Sequence, residues 1–240
     1  MIEYKKIKYQ NILPIKYGVK TPQLTLFNFA SNCFYSKKYR IPEFSLASKL
    51  NILDQISVSE PEHSKILANL LNPEGTHGLN NLFLNLFLYC FVPEIIFNEN
   101  ENWIVTAEKE RYDIRIKNIN NSKIIIIENK SNNAEDKPNQ LYRYWFNGIY
   151  MTQLSRKLNG LECFSKIIYL SPSDYKQPDR QSLSRPNYFN DDLPMEVPRE
   201  LINISFFNDQ IVKWLDLCIK HVDINTNIYY YLSQYRDFWS

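Results

Sequence analysis

The amino-acid sequence predicts an α/β protein in which a central sheet lies between helices. Apolar residues recur at helical spacing through residues 42–91. Segments rich in β-branched residues follow within residues 103–127, close enough together to form a meander. Helical and strand patterns then alternate over residues 136–238. Helices first, strands in the middle and alternation afterwards indicate a sheet covered by helices on its faces.

The composition is that of a soluble globular protein, with 44% hydrophobic and 22% charged residues in 240. The longest strongly apolar stretch, residues 82–92, is too short to cross a bilayer. The first six residues lack the apolar core of a secretory signal. The four cysteines stand far apart without a CxxC pair, which favours reduced thiols over zinc ligands or disulfides. These features predict a cytoplasmic protein.

Positive charge is concentrated in residues 1–40, where eight Lys or Arg stand against one acid, Glu3, for a net charge of +7. Aromatic residues are interleaved with these charges, and such a mixture suits phosphate binding and base stacking. A solvated arm whose tyrosines pack on the domain fits equally well. We predict a basic aromatic N-terminal segment, residues 1–40, packed on a main domain, residues 41–240, and leave its role open between these two.

Three helices are predicted before the strands. The first starts at Pro42 and carries apolar residues at roughly helical spacing as far as Ile56. The second starts at Ser59, because Ser59-Glu60-Pro61-Glu62 has the form of a capping box and proline is tolerated in a first turn. The sequence Asn72-Pro73-Glu74-Gly75 ends it. The third covers residues 79–91.

The strand-forming segments begin with residues 103–107 and 112–116, which are close enough to pair as a hairpin. Residues 123–130 contain four consecutive isoleucines, a pattern typical of a strand that is buried on both faces and central in its sheet. The remaining predicted elements are a helix over 136–158, a strand over 166–170, a surface excursion over 171–200, a strand over 201–206, and helices over 208–221 and 226–238.

Charged residues follow the isoleucine run without a break. Side chains alternate along a strand, so Glu128 and Lys130 share a face, and the meander can bring Asp113 beside them. Two neighbouring carboxylates repel unless a cation lies between them, and such oxygen ligands suit Mg²⁺ or Mn²⁺. A lysine beside that ion can orient water and neutralise charge on a phosphate oxygen. The alternative is a solvated pair at a strand end, worth at most about 1 kcal/mol.

The order and spacing of several motifs resemble a bacterial, RecB-like branch of the PD-(D/E)xK nuclease superfamily. The motifs are Glu62-His-Ser64, Leu70-Leu-Asn-Pro73, His77-Gly78, Glu108, Asp113, Ile-Glu128-Asn-Lys130 and Asp136…Gln140-x-x-x-Tyr144. The resemblance covers roughly residues 46–215. It implies a restriction-endonuclease-like fold, with a mixed central sheet flanked by helices, and phosphodiester hydrolysis that depends on a divalent metal.

The resemblance also implies roles for the charged cluster. Asp113 and Glu128 would be metal ligands, the backbone carbonyl of Asn129 would complete the inner shell, and Lys130 would be the catalytic lysine. Tyr112 stands where the family name has proline, a departure that does not touch this chemistry. The expected cofactor is Mg²⁺ or Mn²⁺.

Three further residues match the family less specifically. Glu62 matches an additional acidic position of RecB-like members and is a further candidate metal ligand, although its capping role alone explains a glutamate there. Gln140 and Tyr144 lie one helical turn apart and match the QxxxY element that lines the site; an ordinary amphipathic helix explains them equally well. The sequence assigns no chemical role to His63, Ser64 and His77.

The function favoured at this stage is a nuclease that cuts DNA. An RNase with the same site and a non-catalytic nucleic-acid-binding or assembly module are the alternatives. The resemblance further suggests a defence or mobile-element role and leaves open a homodimer or a partner protein in a larger complex. The sequence contains no G-x-x-x-x-G-K-[ST] motif, so ATP-driven translocation would need a partner protein.

Overall fold

A computed structural model describes residues 50–95 and 101–240 of the chain. The predictions for residues 1–40 and for the start of the first helix lie outside the described residues. Within them the first helix is confined to α1, Ile52–Gln55, whose N-cap Asn51 accepts a hydrogen bond from Leu53 N. The predicted extension to Ile56 is wrong, because Ile56 is extended in backbone and 56% exposed.

The described residues contain seven helices and five strands, together with a 3-10 turn at Arg199–Leu201. They follow the predicted order, except that the short helix Arg180–Leu183 lies in the stretch predicted as a surface excursion. The helices are α1, α2 (Glu60–Leu71), α3 (Leu82–Phe91), α4 (α-helical over Gln140–Arg143 and Met151–Leu158, π-helical over Tyr144–Tyr150), α5 (Arg180–Leu183), α6 (Val212–Lys220, preceded by a π-helical turn, Phe207–Ile211) and α7 (Asn227–Trp239). The strands are β1 (Trp103–Lys109), β2 (Tyr112–Asn118), β3 (Lys123–Asn129), β4 (Phe164–Ser171) and β5 (Ile202–Phe206).

The strands form one mixed sheet in the order β1-β2-β3-β4-β5. The pairs β1/β2 and β2/β3 are antiparallel, as predicted for a meander, and β3/β4 and β4/β5 are parallel. The central position predicted for β3 is confirmed, because all four of its isoleucines are fully buried. This sheet with flanking helices is the predicted α/β architecture.

The isoleucines of β3 divide between two cores, one on each face of the sheet. Ile125 and Ile127 pack in a core that includes Leu67 of α2 and Phe87 of α3, with Trp214 of α6. Ile124 and Ile126 pack on the opposite face in a core that includes Leu141, Tyr142, Trp145 and Ile149 of α4. Alternation along one strand therefore commits residues 128 and 130 to the α4 face and residue 129 to the α2 face.

The predicted start of α4 at Asp136 is wrong, since the helix begins at Gln140. Pro138 and the left-handed backbone of Asn139 (φ 56°) precede the helix. Proline disfavours helical backbone in the residue before it, and a left-handed residue cannot continue a helical turn. Residues 131–139 therefore form a connection between β3 and α4.

The described helices include none with the length and hydropathy needed to cross a membrane. Cys90, Cys163 and Cys218 are free thiols, as predicted for these three. Cys218 is fully buried in the core on the α2 face of the sheet, where burial raises the pKa of its thiol.

His63 of α2 is buried against the C-terminal aromatic residues, and this packing makes stability depend on pH. The centroid of its ring lies 5.0 Å from that of the Trp239 ring, and its Nδ1 lies 3.2 Å from Tyr235 Oη, while its Nε2 has no hydrogen-bond partner among the described residues. Removal from water lowers the pKa of His63 from 6.5 to about 4, with a small opposing effect of Glu62. The unfolded chain therefore binds an additional proton between these pH values.

We expect the contribution of His63 to the free energy of unfolding to fall as the pH drops from 6.5 towards 4, by up to about 1.4 kcal/mol per pH unit. Urea unfolding across this pH range measures the slope. The wild-type profile minus the His63→Phe profile should show this dependence, whereas His221→Gln, at an exposed histidine, should give the wild-type profile. Equal slopes for wild type and His63→Phe would contradict this assignment.

Candidate active site

The predicted site lies where β3 ends beside β4. Lys130 N donates to Leu170 O at 2.8 Å, so the strand pairing continues one residue past the last strand residue, Asn129. The side chains of Glu128 and Lys130 both point to the α4 face, and they are 1% and 4% exposed. This is the face-sharing that the sequence predicted, at a buried position rather than at a solvated rim.

Asp113 reaches the same place from β2. The antiparallel register pairs Ile114 with Ile127, and one further step sets Asp113 opposite Glu128. Asp113 Oδ2 accepts a hydrogen bond from Asn129 N at 2.7 Å. The carboxylate is therefore fixed against the backbone of the residue that separates Glu128 from Lys130.

Lys130 is the cation of this cluster. Its Nζ lies 2.6 Å from Glu128 Oε1 and 3.4 Å from Asp136 Oδ1, and it donates to Glu135 O at 3.4 Å. Burial alone would lower the pKa of Lys130, but the negative charges of Glu128 and Asp136 outweigh it and raise that pKa. The ammonium consequently stays charged at neutral pH.

The cluster contains three acidic side chains, Asp113, Glu128 and Asp136, and one lysine. Burial and, next, the charge of Glu128 raise the pKa of Asp113 from 3.8 to about 8. Burial also raises the pKa of Glu128, against the opposing effect of Lys130. Each carboxyl group is thus held in a place where its ionised form is costly unless a further cation is bound.

The donors present suit a hard divalent cation. Within residues 50–95 and 101–240, no group of three or more His, Cys, Asp or Glu side chains is arranged to hold a metal ion. Mg²⁺ is commonly bound through one or two carboxylates and completes its shell with other oxygens. The side chains of Asp113 and Glu128 supply the two carboxylates, and the Asn129 carbonyl as a third ligand stays a prediction.

Gln140 and Tyr144 of α4 are both brought to Glu128. Gln140 Nε2 donates to Glu128 Oε2 at 3.1 Å and lies 3.2 Å from Tyr144 Oη. Burial, with the charges of Glu128 and Asp113, raises the pKa of Tyr144, so its hydroxyl remains protonated. The two residues touch the cluster as the QxxxY resemblance implies; their catalytic contribution stays a prediction.

Glu62 is not brought to the cluster. Its exposed carboxylate accepts a hydrogen bond from Ser59 N at 2.6 Å, and that bond is the first cause of its lowered pKa. No hydrogen bond or ion pair joins it to Asp113, Glu128 or Lys130 in the described part of the chain. The capping box is confirmed, and a metal-binding role for Glu62 stays a prediction.

Glu60, two residues earlier, contacts the connection between β3 and α4 instead. Its Oε1 accepts hydrogen bonds from Asn132 N at 3.0 Å and Ala134 N at 3.3 Å. Its backbone carbonyl accepts one from Asn129 Nδ2 at 2.9 Å. Sequence reasoning missed this role, because both glutamates lie in the first turn of α2 and only the packing of that helix decides which one faces the sheet.

Two motif residues without assigned chemistry have structural partners. Asn129 Nδ2 donates to Ser64 Oγ at 3.0 Å, so Ser64 fixes the α2 side of the strand end. His77 Nε2 lies 3.0 Å from Asn72 O, and Leu79 N donates to His77 Nδ1 at 3.0 Å. His77 therefore organises the turn between α2 and α3.

Comparison with known proteins gives one finding. A family model described as the PD-(D/E)XK nuclease superfamily matches residues 50–237. No significant match was found among curated proteins or among solved structures.

Proposed function

Because the chain belongs to the PD-(D/E)XK nuclease superfamily, we propose that it is a divalent-metal-dependent nuclease that hydrolyses phosphodiester bonds at the Asp113, Glu128 and Lys130 cluster. The proposal depends above all on one observation. Lys130 Nζ lies 2.6 Å from Glu128 Oε1 with both side chains almost fully buried. A solvated charge pair at a strand end would be exposed, so the burial supports a catalytic cluster instead.

Each side chain has a defined task in this proposal. Asp113, Glu128 and the Asn129 carbonyl would hold Mg²⁺ or Mn²⁺. When bound, such an ion makes a water molecule more nucleophilic and stabilises charge on a phosphate oxygen. Lys130 orients the attacking water and neutralises charge that develops on the phosphate. Gln140 orients the Glu128 carboxylate through its hydrogen bond at 3.1 Å, and Tyr144 Oη in turn accepts a hydrogen bond from Gln140 Nε2 at 3.2 Å.

DNA is the substrate that we propose. The resemblance favours it, while the cluster itself would hydrolyse RNA by the same chemistry. The cytoplasmic location, a role in defence or mobile-element biology, and assembly as a homodimer or with a partner protein remain predictions from the sequence.

Incubation of the purified full chain with circular DNA, linear DNA and RNA, each with Mg²⁺, Mn²⁺ or EDTA, tests the proposal. We expect cleavage of DNA that requires the metal and is lost in Asp113→Ala. The matched control Asp209→Ala, at a carboxylate paired with Lys213 on the surface, should keep it. Nicking of circular DNA would establish endonuclease action.

Three outcomes count against parts of this proposal. Cleavage of RNA but not of DNA would show that RNA is the substrate instead of DNA. Cleavage in EDTA, or cleavage by Asp113→Ala at the wild-type rate, would contradict the proposed metal site. Binding of nucleic acid without cleavage under all metal conditions would indicate the non-catalytic module.

A further inference from the structure

Asp136 has a buried carboxylate in a mostly exposed connection, residues 131–139. It lies between β3 and α4, where its neighbours Glu135 and Lys137 are both exposed. Its own side chain is only 4% exposed. A charged side chain that is buried on a surface connection needs partners that offset its desolvation.

Those partners come from three separate parts of the chain. Asp136 Oδ1 accepts a hydrogen bond from Tyr169 Oη of β4 at 3.0 Å and lies 3.4 Å from Lys130 Nζ. Asp136 Oδ2 accepts one from Asp179 N at 2.6 Å. Asp136 is therefore held on the sheet by Tyr169 and on the segment after β4 by Asp179, with its first oxygen turned towards the lysine.

Lys130 needs such a second anchor. A lysine side chain has a flexible four-carbon stem and a compact ammonium that rotates freely. Its 2.6 Å contact with Glu128 fixes the distance to one carboxylate, while its hydrogen bonds to Glu135 O at 3.4 Å and to Gln140 Oε1 at 3.5 Å are long and go to neutral oxygens, which leaves the ammonium some freedom of direction. A second carboxylate, held in place by a tyrosine and a backbone amide, removes that freedom.

We propose that Asp136 is a positioning residue that fixes the Lys130 ammonium beside Glu128, an inference that rests on the proposed nuclease function. The alternative is that Asp136 only attaches the segment after β4 to the connection between β3 and α4. That purely structural role would affect folding and would leave Lys130 in place in the folded variant.

Asp136→Asn separates the two roles, because it keeps the size of the side chain and removes its charge. We expect kcat to fall by about 10- to 100-fold, the usual cost of losing an outer partner or of misplacing a catalytic group by about 1 Å. KM should stay within about twofold, since Asp136 is placed to act on Lys130 and not on bound substrate. Thermal unfolding and circular dichroism report whether the variant is folded.

A crystal structure of Asp136→Asn supplies a readout that does not depend on cleavage. We expect Lys130 Nζ to leave its wild-type position relative to Glu128 or to occupy several positions. The control Asp191→Asn, at an exposed carboxylate paired with Arg185, should retain both the wild-type kcat and the single position. A folded Asp136→Asn with wild-type kcat and an unmoved Lys130 would overturn the proposal.

A second pair of variants decides the matter if Asp136→Asn does not fold. Tyr169→Phe removes one hydroxyl that fixes Asp136 and should lower kcat by several-fold. Tyr142→Phe removes a hydroxyl that donates to Pro194 O at 2.8 Å, away from Asp136, and should leave kcat unchanged. Equal kcat in these two variants would overturn the positioning role.

A wild-type protein that cleaves nothing would refute the proposed function, and the position of Lys130 in the crystals would still test the role of Asp136.

Discussion

Replacing Lys130 with alanine should lower kcat by about 10³-fold. A single preorganised donor that stabilises developing charge is worth about 10²–10³-fold in kcat, and Lys130 also orients the attacking water in the proposed mechanism. Its ammonium contacts Glu128 and Asp136 directly, so water that enters the space left by the shortened side chain cannot replace a fixed positive charge there. Single-turnover cleavage of DNA with Mg²⁺ measures the loss.

The same substitution should also destabilise the protein in EDTA. Breaking a buried ion pair by removing one partner costs about 3–5 kcal/mol, because the other charge remains buried and unpaired. Cleavage must therefore be measured at a temperature where circular dichroism shows the variant to be folded.

The matched control is Lys123→Ala at the opposite end of β3. Lys123 Nζ pairs with Glu101 Oε2 at 2.7 Å, so the control removes an ion pair of similar length, although a more exposed one, from the same strand. It should keep wild-type kcat. A folded Lys130→Ala that retains a tenth or more of the wild-type kcat would remove the lysine from the proposed mechanism.

The central strand and its charged end could be predicted because their signals are local. Four isoleucines in a row indicate burial on both faces, and the period of two along a strand decides which side chains share a face. Glu128 and Lys130 are therefore placed by their spacing alone. Asp113 required only one further assumption, the register of an antiparallel meander, which the pairing of Ile114 with Ile127 bears out.

Other parts of the site depend on packing between segments that are distant in sequence. Asp136 is buried by Tyr169 and Asp179, which lie 33 and 43 residues further along the chain, and no local pattern indicates those contacts. The choice between Glu60 and Glu62 depends in the same way on how α2 packs against the sheet.

The π-helical part of α4 also had no local signal in the sequence. It includes Gly148, where an added Cβ would lie 2.5 Å from Ile126 Cδ1. This close approach to β3 explains a glycine inside a helix, but it becomes apparent only once the helix lies on the sheet. Sequence periodicity predicted the helix without predicting its local geometry.

The Asp113→Asn variant should be more stable than the wild type without metal, although it should be inactive. The pKa of Asp113 is raised from 3.8 to about 8, so between these values the folded protein holds a proton that the unfolded chain releases. The contribution of Asp113 to wild-type stability therefore falls as the pH rises through this range, and its loss is complete above about 8. Asparagine stays neutral, and its side-chain oxygen can still accept the hydrogen bond from Asn129 N. The expected gain at pH 8.5 is about 1–4 kcal/mol, by analogy with the gain when a buried ion pair is replaced by well-packed neutral side chains.

Urea unfolding in EDTA at pH 4 and at pH 8.5 measures this effect. The two proteins should differ little at the lower pH, where the Asp113 carboxyl is protonated in the folded wild type. Mg²⁺ in excess should stabilise the wild type at pH 8.5 and leave Asp113→Asn nearly unchanged, because only the folded wild type offers the charged ligand. Asp209→Asn, at an exposed carboxylate, should respond as the wild type does. Equal stabilisation of wild type and Asp113→Asn by Mg²⁺ would place the metal elsewhere. If Asp113→Asn is no more stable than the wild type in EDTA, the ionised Asp113 carboxylate does not destabilise the folded protein. The electrostatic argument for a cluster that needs a bound cation would then be wrong.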